Sequence, residues 1–311
     1  MDLLRLYYLL KPFIPRSLQI ELRRARIRKQ REANQHIWPI DPASATPPSG
    51  WNGWPDGKKF AVVLTHDVET QLGHAKSINL MRLEKERGFC SSFNFVPERY
   101  MVDPMVRHEL EVNGFEVGVH GLNHDGNLYA SREEFLQRAQ KINRYLQEWN
   151  VTGFRSPAMH HNLDWLRDLN ILYDASTFDT DPFEPQPDPA RTIFPFIVED
   201  EGSRKGYVEF PYTLAQDFTL FVIMQERDDR IWRKKLDWIV ENGGMALLNV
   251  HPDYMYFGTG KTPFDQFPAN LYSRFLDYIR IHYKDQYWHG LPRELAAFWR
   301  SRTDSPAVVN G

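Results

Sequence analysis

The sequence predicts a parallel α/β barrel of about seven strands, preceded by a basic helical extension. Three observations lead there. Seven short apolar runs lie at 60–66, 91–96, 115–121, 151–157, 171–177, 207–212 and 245–252. Helical stretches at 74–87, 131–148, 163–169 and 228–242 fall between them, and strands alternating with helices build parallel sheets. Five of the seven runs end in reactive side chains. Barrel enzymes place their chemistry in this way, at the C-terminal ends of several strands at once.

Composition sets the frame. At ~100–200 residues per domain, 311 residues make one large domain or two smaller ones. Hydrophobic residues at 42% and charged residues at 25% are ordinary for a globular core and exclude a disordered chain. Aromatics at 14% point to core packing, with a sugar-binding groove as the other use of such rings. A net charge of −3 argues against the whole chain being a nucleic-acid binder. The single cysteine, Cys90, cannot form an intramolecular disulfide and reads as a small buried hydrophobe.

The N-terminal extension covers residues 1–40. Residues 1–35 hold nine Lys/Arg and three acids, a net +6 that leaves −9 for the remainder. Apolar residues from Leu3 to Ile27 lie between the charges, so two helices broken around Pro12–Pro15 are expected. Such a segment suits peripheral contact with an anionic membrane surface. The competing reading is an arm packed on its own domain or on a partner subunit. The first charge is acidic and Lys11–Pro12 interrupts the apolar run, so a signal peptide is not expected. A cytoplasmic chain, peripheral to the inner membrane face, is. Residues 41–57 (DPASATPPSGWNGWPDG) read as a Pro/Gly/Ser-rich linker. Residues 58–300 form the catalytic domain and 301–311 a tail.

The reactive residues follow in chain order. The first run, in VVLTHDVET, delivers His66, Asp67 and Glu69. Asp67 and Glu69 are two apart and share one face of an extended strand, so one could complete a His–His–carboxylate metal triad and the other act as general base. The third run leads into HGLNHDG. His120 and His124, four apart, would share one side of a helical turn, and neutral imidazoles suit Zn, Co, Ni or Fe. Gly121 and Gly126 permit a tight return. Arg155 in GFRSPAM could hold a carboxylate ionised. Asp179 and Asp181 follow the fifth run in FDTDPFE. His251, in LLNVHPDY, could protonate a leaving group.

Together these residues resemble the polysaccharide deacetylase family, also known as NodB-homology or carbohydrate esterase 4. Five short motifs occur in the family's order over roughly residues 58–300: THDVE at 65–69, HGLNH at 120–124, FRSPA at 154–158, FDTD at 178–181 and LLNVHP at 247–252. The resemblance implies a deformed (β/α) barrel of about seven strands and removal of N- or O-acyl groups from sugars with a divalent metal, Zn2+ first and Co2+, Ni2+ or Fe2+ as alternatives. It implies Glu69, His120 and His124 as ligands, Asp67 as base, Arg155 as its partner and His251 as acid. The Ala158 backbone N–H would serve the oxyanion, and Asp179 or Asp181 would orient His251. His66 receives no role. The sequence departs from the pattern at Val68, between the two acids, and at Ala158 and Met159, where an aromatic and a glycine are usual. The partner implied is a glycan or sugar conjugate, with no nucleic acid. A deformylase or cyclic-amide hydrolase on the same fold stays open, as does a glycan-binding relative without catalysis.

Overall fold

The computed structural model describes residues 14–186, 188–200 and 203–303. In chain order the arm is α1 (Arg16–Ala33). The domain then runs β1 (Phe60–Val68), α2 (Gln71–Lys85), β2 (Ser92–Phe95), α3 (Pro104–Val112), β3 (Glu116–His120), α4 (Arg132–Glu148), β4 (Gly153–Arg155), α5 (Leu163–Leu166) and β5 (Tyr173–Asp174). There follow β6 (Phe196–Asp200), β7 (Ser203–Glu209), a π-helical turn at Phe218–Ile223, α6 (Arg230–Asn242) and β8 (Met245–Val250). The chain ends with β9 (Met255–Tyr256), β10 (Phe267–Pro268), α7 (Asn270–His282), β11 (Tyr287–His289) and α8 (Pro292–Thr303).

Strand β1 organises the sheet. It opens on five consecutive apolar residues and is buried along its whole length, as a parallel strand covered on both faces must be. One edge pairs with β8 from Ala61 to His66. The other edge is shared, with β11 beside Phe60–Val62 and β2 beside Thr65–Val68. Parallel pairing continues through β3, β4, β5 and β7, and β6 adds an antiparallel edge to β7. Single parallel bridges, Phe178 to Tyr212 and Leu214 to Leu248, close the circuit back to β8. All seven expected apolar runs therefore contribute strands to the barrel, which is deformed where those bridges replace a full ladder.

Several helices lay outside the sequence reading. Helix α3 starts with Asp103 accepting from Met105 N–H at 2.8 Å and with Pro104 in the first turn. Proline reads as a breaker, yet in the first turn its fixed φ is favourable and its missing N–H is not needed. Helices α7 and α8, the β6 edge and β11 were likewise not anticipated.

The arm differs from the membrane-facing expectation. Helix α1 buries Ile20 and Ile27, two turns apart, against the domain. Arg24 donates to Val222 O at 2.9 Å and Arg31 pairs with Glu226 at 2.6 Å. Its apolar stripe is thus spent on its own domain, although Leu18 and Leu22 remain exposed. The expected first helix lies outside the described residues. Among the described residues no helix is long and apolar enough to cross a membrane.

Residues 41–57 pack as a strap against the domain. Ile193 N–H donates to Ser44 O at 3.0 Å, and the Trp54 indole N–H donates to Gly243 O at 2.8 Å. Trp51 and Trp54 lie 4.8 Å apart and pack against Trp299 at 5.2 and 5.8 Å. Turn-forming residues hide this role in the sequence, since Trp54 is buried and Trp51 half-buried with only short 3-10 turns around them. The cluster sits by the N-terminal ends of β1 and β8, opposite the reactive strand ends, so these aromatics serve packing. Replacing Trp54 with Ala is expected to cost about 3–5 kcal/mol. Trp54→Phe should cost less, about 1–3 kcal/mol, for the lost ring volume and the Gly243 carbonyl left unpaired. Urea unfolding of the two variants measures both.

Candidate functional site

Alternation along β1 sorts its polar end. Successive side chains point to opposite faces, so Asp67 and His66 part company. His66 turns to the helical layer. Its Nε2 lies 2.8 Å from Glu84, which also accepts from Ser91 at 2.6 Å and from the Tyr272 hydroxyl. This is a buried structural network, apart from the reactive groups.

Asp67 faces the barrel mouth, almost fully buried. The Asn94 amide donates to Oδ1 at 3.2 Å and the Asn249 amide to Oδ2 at 2.9 Å. These come from β2 and β8, the strands on either edge of β1. Arg155 Nη1 lies 3.7 Å and His251 Nε2 3.9 Å from Oδ2. Burial pushes the carboxyl pKa up, but the His120, Arg155 and His251 charges and Asn94 together pull it below its usual value of 3.8. Asp67 is therefore ionised at neutral pH.

His120 sits at the end of β3, directly beside Arg155 in the β3–β4 register. Its Nδ1 lies 3.1 Å from Arg155 O. A carbonyl can only accept, so Nδ1 carries the proton and Nε2 presents its lone pair. Burial pushes this imidazole down to about 4, so it is neutral at pH 7. His124 is not on a helical turn, contrary to expectation. It lies in a loop with φ 56°, and the chain reverses at Gly121, whose φ is 60°. A Cβ on Gly121 would lie 2.4 Å from Pro157 Cγ, so glycine serves both the turn and the close approach.

Glu69 completes a cluster with these histidines. One potential ligand atom from each of Glu69, His120 and His124 lies within 4.8 Å of the others. Glu69 Oε1 is 3.3 Å from His124 Nε2, and Oε2 accepts from the Tyr254 hydroxyl at 2.6 Å. Asp253 holds the loop beneath it, accepting from Glu69 N–H at 3.0 Å and from the Thr70 hydroxyl at 2.5 Å. Burial opposes ionisation of Glu69, but His124, His251 and Tyr254 hold its carboxyl well below the usual range. The Nε2 atoms of His120 and His124 are buried without a hydrogen-bond partner. Two imidazole nitrogens without a hydrogen-bond partner beside an ionised carboxylate make a set of donors that could hold a divalent metal.

The expected partner of His251 is corrected. Neither Asp179 nor Asp181 reaches it. Asp179 is paired with Lys235 at 2.5 Å, and Asp181 accepts from Phe183 N–H at 2.9 Å. Asp217 takes that position, accepting from His251 Nδ1 at 2.7 Å and from its backbone N–H at 2.8 Å. Burial alone would lower the imidazole pKa. Asp217, with Glu69 and Asp67, outweighs burial and raises it to about 10. Asp67 and His251 thus face one another in opposite charged forms.

Ala158 and Met159 follow Arg155 with φ 55° and 54°. Two consecutive non-glycine residues in the left-handed region store strain, a feature that clusters at functional sites. A small cavity beside His124 is lined by Tyr129, Arg138, Pro157 and His160. Cys90 is half-buried with its thiol pushed up to about 12, chiefly by burial, and is no nucleophile.

Asn94, Asn249, Tyr254 and Asp217 were missed. The two asparagines had a signal, an amide set inside an otherwise apolar run (SFNF, LLNV). Replacing Asp217 with Asn removes the charge that keeps His251 protonated. The His251 titration, followed by its imidazole NMR resonances, is expected to fall from about 10 toward the ordinary histidine value of about 6.5. A titration unmoved by the change would refute the pairing.

No family model matches the chain, and no curated protein matches it in sequence. Solved structures do match. A Mycobacterium smegmatis protein assigned as a polysaccharide deacetylase superimposes with a TM-score of 0.65 at 18% identity, covering 84% of this chain and 96% of its own. The Puue allantoinase gives 0.63 at 15% identity, covering 85% and 98%. A Pseudomonas aeruginosa PAO1 protein, also assigned as a polysaccharide deacetylase, gives 0.60 at 16% identity, covering 80% and 93%. At these identities the likeness is one of fold: the chain has the deformed NodB-like barrel that its five motifs led us to expect.

Proposed function

We propose that the protein is a metal-dependent hydrolase that removes N-acetyl or O-acetyl groups from a polysaccharide or glycan precursor. The observation that carries this reading is the pairing of a Glu69–His120–His124 donor set with an ionised Asp67 and a protonated His251 at one barrel mouth. The shared fold with proteins assigned as polysaccharide deacetylases supports it.

Glu69 and the Nε2 atoms of His120 and His124 would hold the ion, with zinc favoured and Co2+, Ni2+ or Fe2+ also suited to this donor set. When bound, a divalent ion polarises the acyl carbonyl and acidifies a water toward ~7. Asp67 accepts the proton of the attacking water. The Arg155 charge, 3.7 Å away, keeps Asp67 ionised, and Asn94 and Asn249 aim its oxygens. The Ala158 N–H is offered to the oxyanion of the tetrahedral intermediate. His251, held protonated by Asp217, gives its Nε2 proton to the departing amine or alcohol, and acetate leaves.

The fold shared with an allantoinase supports a second reading, hydrolysis of a cyclic amide or formamide by the same groups. A panel of acetylated glycans, formylated sugars and cyclic amides offered to metal-reconstituted protein separates the two, by release of acetate, release of formate or ring opening.

His120→Ala is expected to abolish both stoichiometric metal and acetate release, measured by elemental analysis and an acetate assay. His251→Ala should keep the metal and lower kcat by about 10²–10⁴-fold, the usual worth of a general acid. Wild-type protein that takes up no metal and releases no acyl group would point instead to a glycan-binding role.

A further inference from the structure

Helix α1 carries seven basic residues and two acids. Arg24 and Arg31 are spent on Glu21, Val222 O and Glu226. Arg16 and Arg23 are not. They lie seven residues apart and therefore on one face. Neither forms a close ion pair among the described residues, although the Arg23 charge acts on the buried Glu184 carboxyl and lowers its pKa against the effect of burial. Both guanidinium groups sit over a single ring, that of Phe218, at 5.5 and 5.2 Å from its centroid.

The place of that ring gives the pair its meaning. Phe218 directly follows Asp217, which holds His251. Its ring is 4.4 Å from that of Tyr254, whose hydroxyl binds Glu69, and the Tyr254 ring is 5.3 Å from His251. Two guanidinium groups without a close ion pair are thus anchored one aromatic layer from the reacting groups. A guanidinium seated on a ring face still offers its N–H edge, and that fork matches a phosphate oxygen pair. Neutral polysaccharide would give these charges nothing to bind.

We propose that Arg16 and Arg23 form a cradle for a phosphate or diphosphate group carried by the substrate, so that the preferred substrate is a phosphorylated acyl sugar. This rests on the hydrolase reading above and narrows its substrate class. A nucleotide-linked sugar and a lipid-linked sugar both present such a group beside the sugar, and the test separates them.

The first arm is independent of turnover. Full-length protein, metal-loaded and also as the His120→Ala variant so that no metal competes for the anion, is titrated with inorganic pyrophosphate in a calorimeter. We expect saturable binding, weakened about tenfold or more in Arg16→Gln/Arg23→Gln, the worth of one charge-assisted hydrogen bond or more. The control is Arg26→Gln/Lys29→Gln, which removes the same charge from exposed positions of the same helix and should bind like wild type. Thermal unfolding checks that both double variants remain folded. Absent binding, or equal binding in the Arg16/Arg23 variant, overturns the cradle whether or not the protein deacetylates anything. Binding lost only in that variant upholds it even if no acyl sugar is turned over, in which case the deacetylase reading alone fails.

The second arm compares acetate release from uridine diphosphate N-acetylglucosamine, from a polyprenyl diphosphate N-acetylglucosamine in detergent and from the uncharged methyl glycoside. A charged substrate is expected to be preferred by about tenfold or more, with the preference lost through KM in Arg16→Gln/Arg23→Gln and turnover of the methyl glycoside unchanged. Which charged substrate is preferred names the source. An equal loss on charged and uncharged substrates overturns the cradle in favour of general charge balance. Arginine-dependent binding to phosphatidylglycerol vesicles without any response to pyrophosphate overturns it in favour of a membrane-facing arm.

Discussion

The structure depends on keeping one carboxylate charged inside a barrel. A buried, unpaired charge costs several kcal/mol, so Asp67 survives as an anion only because its neighbours answer it from every side. Amides from Asn94 and Asn249 satisfy its two oxygens, and Arg155 and His251 supply positive charge within 4 Å. These groups arrive on β2, β4 and β8. Their convergence requires β1 to be paired along both edges, which is why the longest barrel strand, buried throughout, is the one that carries the acid.

The same requirement explains the irregular backbone at the mouth. His120 must present Nε2, so its Nδ1 is occupied by Arg155 O. His124 must return to the same point within four residues, and the reversal at Gly121 achieves this beneath Pro157. Ala158 and Met159 keep left-handed conformations just beyond Arg155, after Ser156 and Pro157. The opposite end of the barrel carries none of these constraints, and there Trp51 and Trp54 fasten the N-terminal strap.

Much of this was legible in the residues. The seven strands could be read because each is an apolar run too short for a helix. His120, Arg155 and His251 could be read because each closes such a run, and His124 because it follows His120 at four residues. What was not legible depends on tertiary packing. Asp217 sits in LAQDFTL, 34 residues before His251, with nothing local to mark it as a partner. FDTD matched a motif by its place in the chain, while the fold gives Asp179 to Lys235. The arm looked amphipathic enough for a membrane, yet the facing surface around Val222 and Glu226 absorbs its apolar stripe. His66 stands at the reactive end of its run, and strand alternation alone sends it to Glu84 instead of the site.

The division of labour between two acids separated by a single valine is the centre of this reading: Glu69 holds the metal and Asp67 moves the proton. Metal affinity of Glu69→Gln and Asp67→Asn, measured by competition with a chromophoric chelator alongside turnover, tests it directly. We expect Glu69→Gln to weaken metal binding by more than about tenfold. Asp67→Asn should retain the metal and lose turnover. Metal lost in Asp67→Asn and kept in Glu69→Gln would contradict the assignment and exchange the two roles.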